Sequence, residues 1–266
     1  MAAIETTGLT KRYGQTVAVD DLELSIPEGS VYGFLGPNGA GKTTTMRLLT
    51  SLARPTEGSA AVAGVSITDR ARLRPRVGYL PETPPLYERA TGLEQLEYVA
   101  GLRDLHLETA RDRIHSLLAD LDLLADAETL IDDYSTGMRQ KVAFVQAVLH
   151  DPDVVFLDEP TSGLDPRAAK TIRERIRGLA DGGTTVFLST HILPVVEAVA
   201  DTVGILSDGR LVAEGAPDAL ARRAETGDDG TLEDVFLELT DADPIDSARD
   251  GAGSETVIET EEAARD

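Results

Sequence analysis

Eight consecutive residues, Gly36-Pro37-Asn38-Gly39-Ala40-Gly41-Lys42-Thr43, follow the spacing G-x-x-x-x-G-K-[ST]. Each residue type answers a chemical need. Small residues let successive backbone N–H groups converge on phosphate oxygens, and a following helix N-terminus adds its dipole. Lys42 is placed to reach the β- and γ-phosphates of a nucleotide, and the Thr43 hydroxyl to ligate Mg²⁺. Thr44 continues the phosphate contacts from the first helical turn. The context agrees: the loop follows the apolar run Val31-Tyr32-Gly33-Phe34-Leu35 and precedes a helical pattern.

A second constellation is Val154-Val155-Phe156-Leu157-Asp158-Glu159-Pro160, an apolar run that ends in two acids. A run of this kind reads as a strand buried on both faces of a parallel sheet. Its carboxyl end is then the edge where such sheets bind ligands. Asp158 is expected to hold Mg²⁺ through its water shell, and Glu159 to polarise an attacking water as general base.

The elements that must position these groups can be read from periodicity. Leu22-Glu23-Leu24-Ser25-Ile26 alternates with period two, and residues 60–67 read as a small hairpin about Gly64. From Leu93 to Leu124 the pattern is helical, with Ala110, Ile114, Leu117, Leu118 and Leu121 on one apolar face. Residues 92–133 therefore read as a helical insertion. Arg139 to His150 and Arg167 to Ala180 read as helices, and Thr184 to Leu188 as a strand. Val203 to Leu206 and Leu211 to Ala213 flank an Asp208-Gly209 turn. Alternation of strand and helix implies a parallel sheet covered by helices. Thr231-Leu232-Glu233-Asp234 resembles a capping box ahead of a short apolar-faced helix. The acidic stretch 238–266 is expected to be a disordered tail.

Composition narrows the setting. The 266 residues contain no cysteine, which removes disulfides and thiolate chemistry. The net charge of −22 opposes binding to nucleic acid or anionic lipid. Lys11, Lys42, Lys141 and Lys170 are the only lysines, the other 21 of the 25 basic side chains being arginine. An acidic, lysine-poor surface suits a cytoplasm of very high salt, where self-repulsion is screened. The longest mostly apolar stretch, residues 142–149, contains Gln146 and is far too short to span a bilayer. The start has no basic segment followed by an apolar run, so the chain is expected to stay in the cytoplasm.

Three more pieces carry a family resemblance. Tyr134-Ser135-Thr136-Gly137-Met138-Arg139-Gln140 places Ser135 23 residues ahead of Asp158, with one helix between. Ser162-Gly163-Leu164-Asp165 follows the carboxylate pair, and Ser189-Thr190-His191 closes the next strand. This ordered set resembles the nucleotide-binding subunit of an ATP-binding cassette (ABC) transporter, over about residues 4–237. The resemblance implies an α/β fold: a P-loop NTPase core with a parallel sheet and flanking helices, an N-terminal antiparallel β subdomain and the helical insertion. It implies ATP and Mg²⁺ as cofactors, with Thr43, Glu82 and Asp158 toward the metal. Tyr13 matches the aromatic that stacks on adenine. Ser135 and Gly137 match the signature loop, which faces the γ-phosphate bound by the opposite subunit. Asp165 matches the loop that crosses the dimer interface, and His191 the switch histidine on the γ-phosphate.

Two departures stand out. The usual Leu-Ser-Gly-Gly-Gln signature here has Tyr134, Thr136 and Met138 in place of leucine, the first glycine and glutamine. Glu82, in Val77-Gly78-Tyr79-Leu80-Pro81-Glu82, stands where most members carry glutamine. Similar replacements mark a branch that ends in Leu-Glu-Asp-Val-Phe, matching Leu232 to Phe236, and that resembles exporters with separately encoded membrane subunits. The implied partners are an integral membrane permease and a second copy or homologous ATPase subunit. Nucleic acid is not among them, and contact with the membrane runs through the permease, on its cytoplasmic face. The competing reading, a soluble ABC ATPase acting on ribosomes or DNA, usually comes with two cassettes in one chain or a long coiled coil, and neither is present. A cassette that binds ATP without turnover is disfavoured by Glu159 and His191.

Overall fold

The computed structural model describes residues 1–222 and 230–240. The chain begins with two long antiparallel strands, β1 (Ala2–Tyr13) and β2 (Thr16–Pro27), followed by β3 (Val31–Leu35), the glycine-rich loop and α1 (Lys42–Leu49). β4 (Glu57–Val62) and β5 (Val65–Ser66) complete a four-stranded sheet of order β2-β1-β4-β5, antiparallel throughout. α2 (Arg70–Leu73) leads to β6 (Val77–Leu80). Next come α3 (Gly92–Leu102), α4 (Leu107–Asp120), α5 (Thr136–Val148), β7 (Val154–Asp158), α6 (Pro166–Asp181) and β8 (Thr185–Thr190). α7 (Leu193–Val199), β9 (Thr202–Ser207), β10 (Arg210–Gly215), α8 (Pro217–Ala221) and α9 (Leu232–Thr240) follow. The second sheet has the order β10-β9-β3-β8-β7-β6, parallel except for the β9–β10 hairpin.

Burial explains which strands lie in the middle. Every residue of β3, β7 and β8 is buried, as their continuous apolar sequence demands of strands covered on both faces. Three of the chain's five phenylalanines meet there. Phe187 lies 5.0 Å from Phe34, 5.5 Å from Phe156 and 5.5 Å from Tyr32, centroid to centroid. Burial of each such ring stabilises the fold by about 2–3 kcal/mol. Among the described residues one core lies between the two sheets and a second between the parallel sheet and α3 to α6. A smaller third joins Leu35, Val196, Val203, Ile205, Leu220, Leu232 and Val235.

The insertion departs from the continuous helical pattern of residues 93–124. A capping box starts α3: Thr91 Oγ1 accepts from Glu94 N–H at 3.1 Å, and Glu94 accepts from Thr91 N–H at 2.8 Å. Asp104, with φ +57°, then breaks the chain, so two helices form in place of one. α4 buries Ala110, Ile114 and Leu118, while Leu117 sits at the rim of that face. α5 begins at Thr136, three residues ahead of Arg139, because the Ser135 side chain caps it through Met138 N–H. At the end, Thr231 and Asp234 form the expected reciprocal cap. α9 continues through Thr240, which takes residues 238–240 out of the acidic tail. The rest of that stretch, 241–266, lies outside the described residues.

Candidate active site

Parallel register brings the sequence motifs together. β3, β8 and β7 lie side by side, with Leu35 opposite Thr190 and Ser189 opposite Asp158. The loop after β3, the acids ending β7 and the Thr190-His191 pair ending β8 therefore emerge on one edge. They enclose a cavity of about 300 Å³. Its wall carries Asn38, Gly39, Gly41, Lys42, Thr43 and Thr44 from the loop and α1, Glu82 from beyond β6, and Asp158, Glu159 and His191 from the strand ends.

The loop needs its glycines. Gly39 and Gly41 have φ of +87° and +108°, which side chains disfavour. A Cβ on Gly36 would lie 2.6 Å from the Leu206 carbonyl, and one on Gly41 would strike the Ala18 carbonyl. Lys42 is buried and folded onto the loop itself, its Nζ donating to Gly36 O at 2.6 Å and Pro37 O at 3.1 Å. Burial lowers its pKa, opposed by the negative charges of Glu159, Asp158 and Glu82. The Thr43 hydroxyl donates to Asp158 Oδ2 at 3.1 Å. Burial raises the Asp158 pKa. The Ser189 and Thr43 hydroxyls act against that rise, while Glu159 and Glu82 add to it.

Glu159 is the most constrained group of the edge. It is 7% exposed and, at φ +49°, adopts a left-handed backbone that costs a non-glycine residue about 1–2 kcal/mol. Its N–H donates to Ser189 O at 2.9 Å. Its carboxylate accepts from Thr190 Oγ1 at 2.8 Å, from His191 N–H at 3.0 Å and from His191 Nδ1 at 2.8 Å. That last bond leaves His191 Nε2 as the ring's free nitrogen. The arrangement joins a phosphate-binding loop to an anchored carboxylate, the parts that hydrolysis of a nucleoside triphosphate requires.

Residues 19–162 match the profile of the ABC transporter family. The chain belongs to that family. It is 41% identical over 228 residues to a daunorubicin resistance ATP-binding protein, DrrA3, of Streptomyces coeruleorubidus, covering 85% of this chain and 72% of the relative. Among solved structures, the ATP-binding subunit of an ABC transporter superposes with a TM-score of 0.81 at 32% identity, covering 89% of this chain and 99% of that one. The dimeric post-hydrolysis state of an ATP-binding cassette bound to ADP and Pi superposes at 0.74 with 25% identity, covering 80% and 98%. The cassette is thus an ABC ATPase subunit, with the parallel sheet and antiparallel β subdomain expected of it.

Other motif residues of the cassette do not line the cavity. Tyr13 ends β1, 50% exposed, with Lys11 Nζ 4.8 Å from its ring centroid. Ser135 and Gly137 open α5, and Asp165 caps α6 by accepting from Arg167 N–H at 2.8 Å and Ala168 N–H at 3.0 Å. Those two N–H groups hold the Asp165 carboxyl below its usual pKa. The two helix starts adjoin: a Cβ on Gly137 would lie 3.7 Å from Ala168 and 3.9 Å from Leu164.

Three residues of the site carried no role of their own in the sequence, Ser189 and Thr190 being quoted only as the motif residues ahead of His191. Ala18 of β2 lines the cavity, Ser189 stands beside Asp158, and Thr190 binds Glu159. Alanine carries no chemical signal, and the two hydroxyls gain meaning only from neighbours about thirty positions away in the chain.

Proposed function

We propose that this ATPase powers export across a membrane through a separately encoded permease. It works as a face-to-face pair of cassettes that share two ATP sites. The observation that carries this reading is the separation of the site into two groups within one chain. The cavity holds Lys42, Thr43, Asp158, Glu159 and His191, while Ser135, Gly137 and Asp165 stand outside it at two helix starts. Phosphate contacts are complete only when the second group of one copy covers the cavity of the other.

The residues take the following roles. Gly36 to Gly41 cradle the phosphates through backbone N–H groups. Lys42 exchanges its two loop carbonyls for β- and γ-phosphate oxygens, a move its long flexible stem permits. Glu159 takes a proton from the attacking water, and His191 presents Nε2 to the γ-phosphate. Tyr13 offers a ring face to the base, and Ser135, Gly137 and Asp165 serve the opposite copy.

The Thr43 hydroxyl and the Asp158 carboxylate, 3.1 Å apart, fit a hard, oxygen-liganded ion. Among the described residues no three His, Cys, Asp or Glu side chains converge as a metal cage. Such a donor set suits Mg²⁺, which keeps several waters and takes further ligands from phosphate. When bound, Mg²⁺ supplies charge neutralisation at the phosphate oxygens. Glu82 adds a third carboxylate to the cavity wall and serves as a further oxygen donor toward the ion.

Among the described residues no helix is long and apolar enough to cross a membrane. The reading places the chain on the cytoplasmic face, held by the permease. The net charge of −22 supports a high-salt cytoplasm as its working medium. The test is affinity purification of the tagged chain from detergent-solubilised native membranes in molar KCl. Stoichiometric recovery of a multi-span protein supports the reading. Recovery only with ribosomal or DNA-associated proteins refutes it.

A further inference from the structure

Thr190 ends β8 and is fully buried. Its hydroxyl has two partners, and they differ in kind. Ile192 N–H donates to Oγ1 at 3.1 Å, and the Glu159 Oε2 atom lies 2.8 Å from the same oxygen. An amide N–H can only donate, so the hydroxyl hydrogen is left for the carboxylate. The bond runs one way, from Thr190 to Glu159.

The other carboxylate oxygen is more crowded. Oε1 accepts from His191 N–H at 3.0 Å and from His191 Nδ1 at 2.8 Å. A carboxylate oxygen offers two in-plane acceptor positions. Oε1 is thus filled, whereas Oε2 keeps one position open beside the Thr190 bond. The last torsion of a glutamate side chain is broad, so the carboxylate plane needs an outside constraint. The His191 donors hold one end of that plane and Thr190 holds the other.

We propose that Thr190 is the positioning residue of the general base, turning the open lone pair of Glu159 Oε2 toward the attacking water. This rests on the reading of Glu159 as the base. In the step, the water oxygen forms a bond to the γ-phosphorus as one of its O–H bonds breaks, and the proton passes to Oε2. The bridging oxygen leaves on ADP with the electron pair of the broken P–O bond. Thr190 touches neither water nor phosphate. Its contribution is the orientation of the oxygen that does.

The test compares full-length Thr190→Val, Thr190→Ser and Glu159→Gln with the wild type, measuring phosphate release against ATP concentration and nucleotide-stabilised dimer by light scattering. Valine keeps the shape and removes the donor. The expected result is a kcat about 10–100-fold lower in Thr190→Val, as for loss of one hydrogen bond to a charged group. KM for ATP stays within about twofold, and an ATP-bound dimer persists as in Glu159→Gln. Serine restores kcat to within about threefold, because it keeps the hydroxyl. Should the valine variant not fold, Thr190→Ala is compared with Thr190→Ser in the same way. Wild-type kcat in Thr190→Val while Glu159→Gln stalls overturns the proposal and leaves the base reading standing. A serine variant as impaired as valine also overturns it, since a retained hydroxyl would then not suffice. So does a rise in KM with kcat unchanged, which would place the loss in binding and not in chemistry. Undiminished turnover in Glu159→Gln removes the base reading, and this inference with it.

Discussion

The phosphate loop and the adjoining starts of α5 and α6 are all helix N-termini, yet they stand in opposite states. Gly41 heads α1 with no side chain on the free N–H groups, so those donors are left for a ligand. Ser135 and Asp165, by contrast, cap α5 and α6 with their own oxygens. The first region is receptive within one chain. The second is self-satisfied and stable without a nucleotide, as a surface that must wait for a partner's phosphate has to be. The Ser135 hydroxyl accepts from Met138 N–H at a long 3.3 Å and keeps its own hydrogen to donate outward. The capping of these three helix starts supports the division of the ATP site proposed above.

The largest test strikes the receptive region. Glu159→Gln is expected to lower kcat at least ~100-fold while ATP binding changes little and an ATP-bound dimer accumulates. Phosphate release and nucleotide titration on the same preparation check it, and equal losses in both would assign Glu159 to binding and not to chemistry.

A mixing experiment breaks or confirms the division itself. Lys42→Ala and Ser135→Ala should each be nearly inactive alone. Equal amounts together should recover roughly a quarter of wild-type activity, because half the dimers are mixed and each carries one intact composite site. No recovery on mixing would show that each chain works on its own nucleotide.

Tyr13→Ala should weaken ATP binding roughly tenfold through lost base stacking and leave kcat at saturation nearly unchanged. Fluorescent-nucleotide titration measures it. An unchanged affinity would remove Tyr13 from the receptive region.

The smallest effect concerns the frame that carries both regions. His150 follows α5, and its Nε2 lies 3.0 Å from the carbonyl of Val77, which starts β6 on the way to Glu82. Burial lowers its pKa from 6.5 to about 4, helped by Arg103 and Arg113 and opposed by the Val77 carbonyl and Asp151. The unfolded chain therefore takes the proton first as pH falls. Stability is fully present above about pH 6.5 and is lost toward pH 4, by roughly 1 kcal/mol at pH 5 once solvent at the ring edge is allowed for. Urea midpoints at pH 7 and pH 5 should differ more in the wild type than in His150→Gln. Equal differences would return the pH dependence to the carboxylates.

Much of the site was legible along the chain because its chemistry is local. Gly36 to Thr43 is one continuous loop, and Asp158 and Glu159 are adjacent at the end of an all-apolar strand. Other elements hid from periodicity. β1 pairs with β2 through several register shifts, which spoil period-two alternation, and β6 has only four residues. The break between α3 and α4 rests on one left-handed residue, Asp104, in a stretch whose apolar spacing continues across it.

By itself, the sequence determined the kind of chemistry, since phosphate cradling, a point charge and a carboxylate pair depend on residue type and short spacing. It also determined the fold class, through alternating strands and helices. Only the tertiary structure decided which groups face one another. Thr190 and Glu159 are 31 positions apart, and the parallel register of β7 and β8 places them 2.8 Å from each other. Ser135, Gly137 and Asp165, by contrast, stand outside this chain's cavity. Strand pairing joins residues by their depth in a sheet, which no local spacing encodes.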